Sequence, residues 1–179
     1  MIHVETNRLL LRDWIDGDLE PFAALNGDAN VMAHFPAPLS RVQSDGFVRR
    51  IQHGLDHNGF GLYGVEVKAT GGFIGFVGFS RVGFKAAFTP AVEIGWRLAF
   101  PDWGQGYATE AAKACLAHGF GELGFDALVS FTTRGNQRSI AVMERIGMTR
   151  NPADDFECPS VPRGHAQRPH VLYRIENPK

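Results

Sequence analysis

A chain of 179 residues, 44% hydrophobic and 21% charged, is long enough to bury a core and too evenly mixed for a disordered or membrane-spanning protein. Its net charge of −1 gives no electrostatic drive toward nucleic acid or an anionic membrane, so neither is expected as a partner. Two cysteines, Cys115 and Cys158, make no disulfide framework. With no signal-peptide pattern at the N-terminus, the expected location is cytoplasmic.

No repeat, low-complexity tract or linker divides the sequence, so residues 1–179 are read as a single domain. Arg8 to Trp14 reads as a first strand, with Leu9 and Leu11 alternating. Asp16 caps a helix running to about Asn26, with Pro21 near its start. Ser40 and Gln43 form a capping box for a second helix, whose Phe47, Ile51 and Leu55 share one face and which ends at Asn58-Gly59. Phe60–Lys68 and Phe73–Val82 read as a hairpin around Ala69-Thr70-Gly71-Gly72, and Ala91–Leu98 as a further strand. Ala108, Ala111, Ala112, Cys115, Leu116 and Gly119 lie along one stripe of a third helix. Asp126–Thr133 is a strand, Asn136–Ile146 a short helix ended by Gly147, and His170–Ile175 a last strand. Asp154 to His165 has no regular pattern and reads as a long loop.

The most informative stretch is Trp103-Gly104-Gln105-Gly106-Tyr107-Ala108-Thr109-Glu110, a glycine turn between a strand and a helix. The first amides of a helix have no partner within it, the dipole there favours negative charge, and glycine admits an anion close to the backbone. This is a place to hold phosphate. A dinucleotide fingerprint lacks its third glycine here, and a P-loop lacks its lysine and the following Ser or Thr.

With these residues in their order, the chain resembles the GNAT superfamily of N-acetyltransferases, and within it the branch of enzymes that acetylate the N-termini of ribosomal proteins. Four segments carry the resemblance: Glu5-Thr6-Asn7-Arg8-Leu9-Leu10-Leu11-Arg12, Val92-Glu93-Ile94-Gly95-Trp96-Arg97-Leu98, Trp103 to Ala112, and Asn136-Gln137-Arg138-Ser139 followed by Glu144-Arg145-Ile146-Gly147-Met148. Together they span nearly the whole chain. The family loop usually opens with Gln or Arg; Trp103 stands there instead, while Gly106 and Ala108 fit the later positions.

The resemblance implies an α+β fold, a strongly twisted, mixed and mostly antiparallel sheet of about seven strands flanked by about four helices. Acetyl-CoA would be the cosubstrate, in a V-shaped opening between the central strand and Asp126–Thr133, with no metal. Its pyrophosphate would rest on backbone amides from Gly104, Gln105 and Gly106 through Tyr107, Ala108 and Thr109. Trp103 would either touch the ligand or pack between loop and helix. The pantetheine arm would pair with the central strand near Trp96, Arg97 and Leu98, where a fixed amide could polarise the thioester carbonyl.

The attacking amine must be neutral, which favours a base near neutral pH. Glu93, on the side-chain parity opposite to Val92, Ile94 and Trp96, is the first candidate; the alternative is a solvated strand carboxylate. Asp154, Asp155 and Glu157 are weaker candidates. Many family members place a Tyr on the last helix as proton donor to the thiol. The matching position here is Met143, which the resemblance places among the cofactor-binding residues but which has no proton to give, so Ser139, one turn earlier, is assigned to the thiol as binder and general acid. Asn136 is expected to cap its helix and to reach the pantetheine amide. Phe35, Pro36 and Pro38 would form the far wall of the acceptor cleft. His53 and His57 share a helix face without a third metal ligand, and Cys158, His165 and His170 match no zinc spacing.

The reading is acetyl transfer to a primary amine, a protein N-terminus or a small molecule, by direct attack in a ternary complex. A non-catalytic acyl-CoA-binding domain is the alternative, and a monomer or homodimer is expected.

Overall fold

A computed structural model describes residues 1–178. In chain order its strands are β1 (Ile2–Glu5), β2 (Leu9–Arg12), β3 (Leu62–Val67), β4 (Gly72–Arg81), β5 (Val92–Leu98), β6 (Ala127–Thr133), β7 (Thr149–Arg150), β8 (Phe156–Glu157) and β9 (Pro169–Glu176). The α-helices are α1 (Leu19–Gly27), α2 (Arg41–Asn58), α3 (Tyr107–Gly121) and α4 (Gln137–Arg145). One sheet runs β1-β2-β3-β4-β5-β6-β9-β7, with β8 also paired to β9, and every pairing is antiparallel except β5 with β6. Among the described residues no helix is long and apolar enough to cross a membrane.

The predicted elements are recovered, with three corrections. The N-terminal strand is Leu9–Arg12 alone, and residues before it form a separate strand antiparallel to it. Asp16 does not cap α1; it opens a 3-10 turn, Asp16–Asp18. The buried carboxylate there is Asp18, which accepts from Arg12 Nη1 at 2.8 Å, from Arg12 Nη2 at 3.0 Å and from the Ile15 amide at 3.0 Å. Arg12 thereby ties β2 to the start of α1. The late segment Asp154–His165 is not one irregular loop, because β8 lies within it; β7, which the sequence did not announce, and a 3-10 turn (Pro152–Asp154) lead into it. β7 and β8 are two-residue strands that exist only by pairing with β9, so no local periodicity announces them.

Helices cover both faces of the sheet. On one face α3 packs against Leu9, Leu11, Val77, Phe79 and Ile94 in the larger core. Ala111, Ala112 and Cys115 are fully buried, and small side chains there let α3 lie close. A Cβ on Gly119 would come within 2.9 Å of Phe79 Cζ. Ile94, with no exposed surface, contributes about 2 kcal/mol by burial alone. On the other face α1 and α2 enclose a second core of Trp14, Phe22, Leu25, Val48, Ile51 and Phe76. The Ser40–Gln43 capping box and the left-handed Gly59 (φ 72°) set the two ends of α2 as expected.

The feature that makes a site is the parting of β5 from β6. The two strands meet only at Glu93 opposite Val129. The β4–β5 register is unbroken from Gly75/Leu98 to Arg81/Val92. Beyond its ends, the Ala99 amide donates to the Ile74 carbonyl (2.8 Å) and the Val82 amide to the Ala91 carbonyl (3.0 Å). Backbone groups alternate along a strand. Odd-numbered residues of β5 therefore turn theirs to β4, and even-numbered residues turn theirs toward β6. Past Glu93 the amides of Trp96 and Leu98 face a wedge with no strand in it.

Candidate active site

A cavity of about 1470 Å³ runs through this wedge. Its walls are the glycine turn and start of α3, the first turns of α4, and on the far side β4, the odd-numbered face of β5 and the α1–α2 connection. Of the expected cofactor and catalytic residues, Glu93, Trp96, Arg97, Leu98, Trp103, Gly104, Gly106, Tyr107, Ala108, Thr109, Asn136 and Ser139 line it.

The turn is built to leave amides free. Gly104 and Gly106 both have φ of 79°, a left-handed conformation that other residues adopt at a cost. Gly106 is the N-cap of α3 and supplies no side-chain cap. The helical bonds begin with the Glu110 amide to the Gly106 carbonyl (3.0 Å), so the amides of Tyr107, Ala108 and Thr109 have no helical partner. Gln105 is exposed outside the cavity; its carbonyl accepts from Arg8 Nη1 at 2.9 Å.

Arg8 and Glu110 form a clamp that sequence reasoning assigned no role. Arg8 Nε donates to Glu110 Oε2 (2.6 Å), and the Arg8 amide (3.1 Å) and Thr6 Oγ1 (2.7 Å) donate to Glu110 Oε1. The Arg8 guanidinium also stacks 4.6 Å over the Tyr107 ring. Burial raises the Glu110 pKa, but the Thr6 and Arg8 hydrogen bonds outweigh it and hold the group below its ordinary value. A group held down in this way stabilises the fold above the ordinary glutamate range and loses that contribution as pH falls through its folded pKa. Glu110→Gln should therefore lower stability by about 1 kcal/mol at neutral pH. In urea unfolding the difference from the parent should shrink in acid; a constant difference at all pH values would rule out the charged clamp.

Trp103 packs between loop and strand: its Nε1 donates to the Leu98 carbonyl at 2.8 Å, and its ring meets Phe100 edge-on at 5.1 Å. It thus holds the turn against the end of β5. The Arg138 guanidinium lies 5.1 Å over the same ring, on the first turn of α4. With Lys113 and Arg145 it gives the cavity lining three cations on α3 and α4 to which the sequence reading assigned no role.

Asn136 caps α4 as expected: Oδ1 accepts from the Ser139 amide (3.2 Å), and Nδ2 donates to Thr132 Oγ1 (2.9 Å). Ser139 lines the cavity with a hydroxyl that has no hydrogen bond among the described residues. Met143 is placed differently from expectation. It is fully buried in the larger core and does not line the cavity. Four residues along a helix advance slightly more than one turn, and here that carries position 143 off the cavity face.

On the far side Glu93, Gly95 and Arg97 share one face of β5. The Glu93 carboxylate is half-buried, and its one partner among the described residues is Ser80 Oγ, donating at a long 3.5 Å from the opposite strand. Burial pushes its pKa up to about 8, against a small opposing effect of Ser80. Arg97 differs from Trp96 and Leu98: its backbone turns to β4, and its side chain crosses to the α1–α2 face.

Val31, His34, Phe35 and Pro36 extend this wall, whereas Pro38 does not reach it. His34 bonds through Nδ1 to Thr133 Oγ1 at 3.1 Å, and burial lowers its pKa. His170 pairs Nδ1 with the Arg168 carbonyl at 2.9 Å, and burial lowers its pKa also. Both imidazoles are thus held toward the neutral form. Phe84, Phe131 and Phe156 stack around the same end, 5.5 to 6.0 Å apart. The weaker acidic candidates are all engaged elsewhere: Asp154 with Arg174, Asp155 with Arg150 and Glu157 with Arg168, and none lines the cavity.

Comparison with known proteins agrees with this architecture. Residues 8–149 match the acetyltransferase (GNAT) domain family. The uncharacterized protein YkkB of Bacillus subtilis is 36% identical over 144 residues, covering 80% of this chain and 83% of that protein. The crystal structure of a GNAT-family acetyltransferase from Bacillus anthracis superposes with a TM-score of 0.80 at 26% identity, covering 100% of both chains. A ribosomal L7/L12 α-N-protein acetyltransferase, solved with coenzyme A, reaches a TM-score of 0.77 at 18% identity over 98% of each chain, a likeness of fold. The free amides at the glycine turn and in the β5–β6 wedge suit the phosphates and the amide-bearing arm of acetyl-CoA, and the chain belongs to the GNAT family as an acetyl-CoA-dependent acetyltransferase.

Proposed function

We propose that the chain moves the acetyl group of acetyl-CoA to a primary amine by direct attack, with Glu93 as the base. The observation carrying this is the single cavity that joins the open amides of Trp96 and Leu98 to a half-buried, uncompensated carboxylate. An amine entering from the Glu93 side meets the thioester at the wedge. Glu93 takes the proton, directly or through water, as the N–C bond forms and the C–S bond breaks. The Trp96 or Leu98 amide stabilises the charge that builds on the carbonyl oxygen. The free Ser139 hydroxyl, beside the start of α4, serves the departing thiolate. Gly104 to Thr109 hold the pyrophosphate, with Trp103 bracing the turn and Arg138 adding charge, and Asn136 reaches the arm with the second hydrogen of Nδ2, the first being given to Thr132. A protein N-terminus, the acceptor type of the ribosomal branch, and a small amine both remain within this reading.

Calorimetric titration should give saturable acetyl-CoA binding with Kd below about 1 mM. Thiol release should then depend on an added primary amine. Release that is indifferent to every amine, or a silent titration, would remove the proposal.

A further inference from the structure

The Arg97 side chain is a cation with no anion. It lies among Phe35, Phe47 and Phe76, with its guanidinium carbon 4.2, 5.5 and 5.6 Å from the three ring centres. Nη1 donates to Asn26 Oδ1 at 2.6 Å; Nε is buried and has no partner among the described residues. Among the described residues no carboxylate forms an ion pair with it, although other arginines, including Arg8, Arg12 and Arg150, do. Asn26, itself fully buried, is fixed by donating to Ser44 Oγ at 2.9 Å, so it is a neutral brace rather than a counter-charge.

A half-buried cation left without an anion carries a desolvation cost that the three ring faces offset only in part, and an anion entering from the cavity would complete its surroundings. Burial also draws its pKa down to about 10, which still leaves it charged at neutral pH. Arg97 and all three rings line the cavity, so the cation is open to a ligand from that side.

Its place along β5 specifies the ligand further. Glu93, Gly95 and Arg97 alternate on one face: a carboxylate, a gap and a guanidinium. At Gly95 a Cβ would find only Glu93 Oε1, at 3.8 Å, so the carboxylate leans over Gly95 and nothing else crowds that position. Four strand residues set the two Cα atoms about 13 Å apart, which limits a ligand touching both groups to a short chain.

We propose that the acetyl acceptor is a zwitterion: its amine faces Glu93, its body lies over Gly95, and a carboxylate pairs with Arg97. This rests on the acetyl-transfer reading and narrows its acceptor to amines bearing a carboxylate within a short chain. An extended protein N-terminus offers no such group at that distance unless an acidic side chain supplies it.

The test uses the full chain with coenzyme A bound. 5-Aminopentanoate and glycylglycine are titrated calorimetrically beside their neutral counterparts, 5-aminopentanamide and glycylglycinamide. Each carboxylate should bind at least about 10-fold tighter than its amide, the span of one charge-assisted hydrogen bond. Arg97→Met should collapse that ratio toward one, and Arg97→Lys, which keeps the charge and guards against a packing failure, should retain part of it. Equal binding of acid and amide, no binding of either, or a ratio that survives Arg97→Met overturns the inference. Thiol release from acetyl-CoA is read on the same four amines. A binding preference without any release would defeat acetyl transfer while leaving the anion site standing; release with no preference would do the reverse.

Discussion

Replacing Glu93 by Gln is expected to lower kcat/KM by about 10²–10⁴ at neutral pH, the usual worth of a positioned general base. The substitution keeps the size and the cross-strand neighbour Ser80, so the cavity should survive and acetyl-CoA binding should change little. The pH profile is the sharper readout. With its pKa pushed up to about 8 by burial, Glu93 gains its basic form as pH rises through that value, and kcat/KM should climb over the same range. In Glu93→Gln that limb should vanish, leaving only the ionisation of the acceptor amine itself. A variant with parental kcat/KM and an unchanged profile would move the base to water or to one of the neutral imidazoles, His34 or His170.

The same carboxylate should be visible in stability. A carboxyl group whose folded pKa is raised from 4.5 to about 8 holds its proton longer in the folded chain than in the unfolded one. Its contribution is therefore unfavourable to the fold at high pH, and stability should fall between those two values as pH rises. Glu93→Gln should flatten the fall. The pH dependence of Tm for parent and variant checks this without any substrate.

The second large effect is expected at Gly75. This residue has φ of 133° and sits in β4 opposite Leu98, beside a bulge where the β3–β4 register shifts between Val65 and Glu66. A Cβ built there would lie 2.1 Å from the Arg97 carbonyl oxygen and 2.9 Å from Leu98 Cα. Both atoms are backbone of the strand that carries the site, so no side-chain rotation relieves the contact. Gly75→Ala should cost about 4 kcal/mol, overpacking added to backbone strain, and should weaken acetyl-CoA binding by displacing β5. Gly71→Ala is the control. It too has a positive φ, 68°, but nothing lies within 4 Å of its added Cβ, and about 1 kcal/mol is expected. Urea unfolding of the pair decides: equal losses would show that conformational strain, and not the close approach of β5, makes Gly75 necessary.

The elements most legible in the sequence were those written in local patterns. The Ser40–Gln43 box, the apolar stripe of α3, the hairpin at Ala69–Gly72 and the glycine turn each depend on residues a few positions apart. The two glycines of the turn forecast a close approach for an anion, and their place between a strand and a helix forecast free amides; the left-handed backbone at both was seen only in the structure. Residues far apart in sequence were less legible. Arg8 and Glu110 are 102 positions apart, and neither carries a local sign that they clamp the turn. β7 and β8 are too short for any period and are strands only because β9 runs beside them. Met143 was legible as a helix residue, but which side of the helix met the cavity depended on how α4 docks against the larger core.

By itself, then, the sequence determined the chemistry of the donor end. A glycine turn needs only its own backbone to present amides, and the alternation of β5 put Glu93 and Arg97 on one face whatever lay opposite. What stands opposite was decided by tertiary structure. The parting of β5 from β6, the burial that lifts Glu93, and the phenylalanine cage drawn from α2, β4 and the α1–α2 connection around an unpaired Arg97 arise only when distant segments meet. Charge in a site depends on what surrounds it, and those surroundings come from the whole fold.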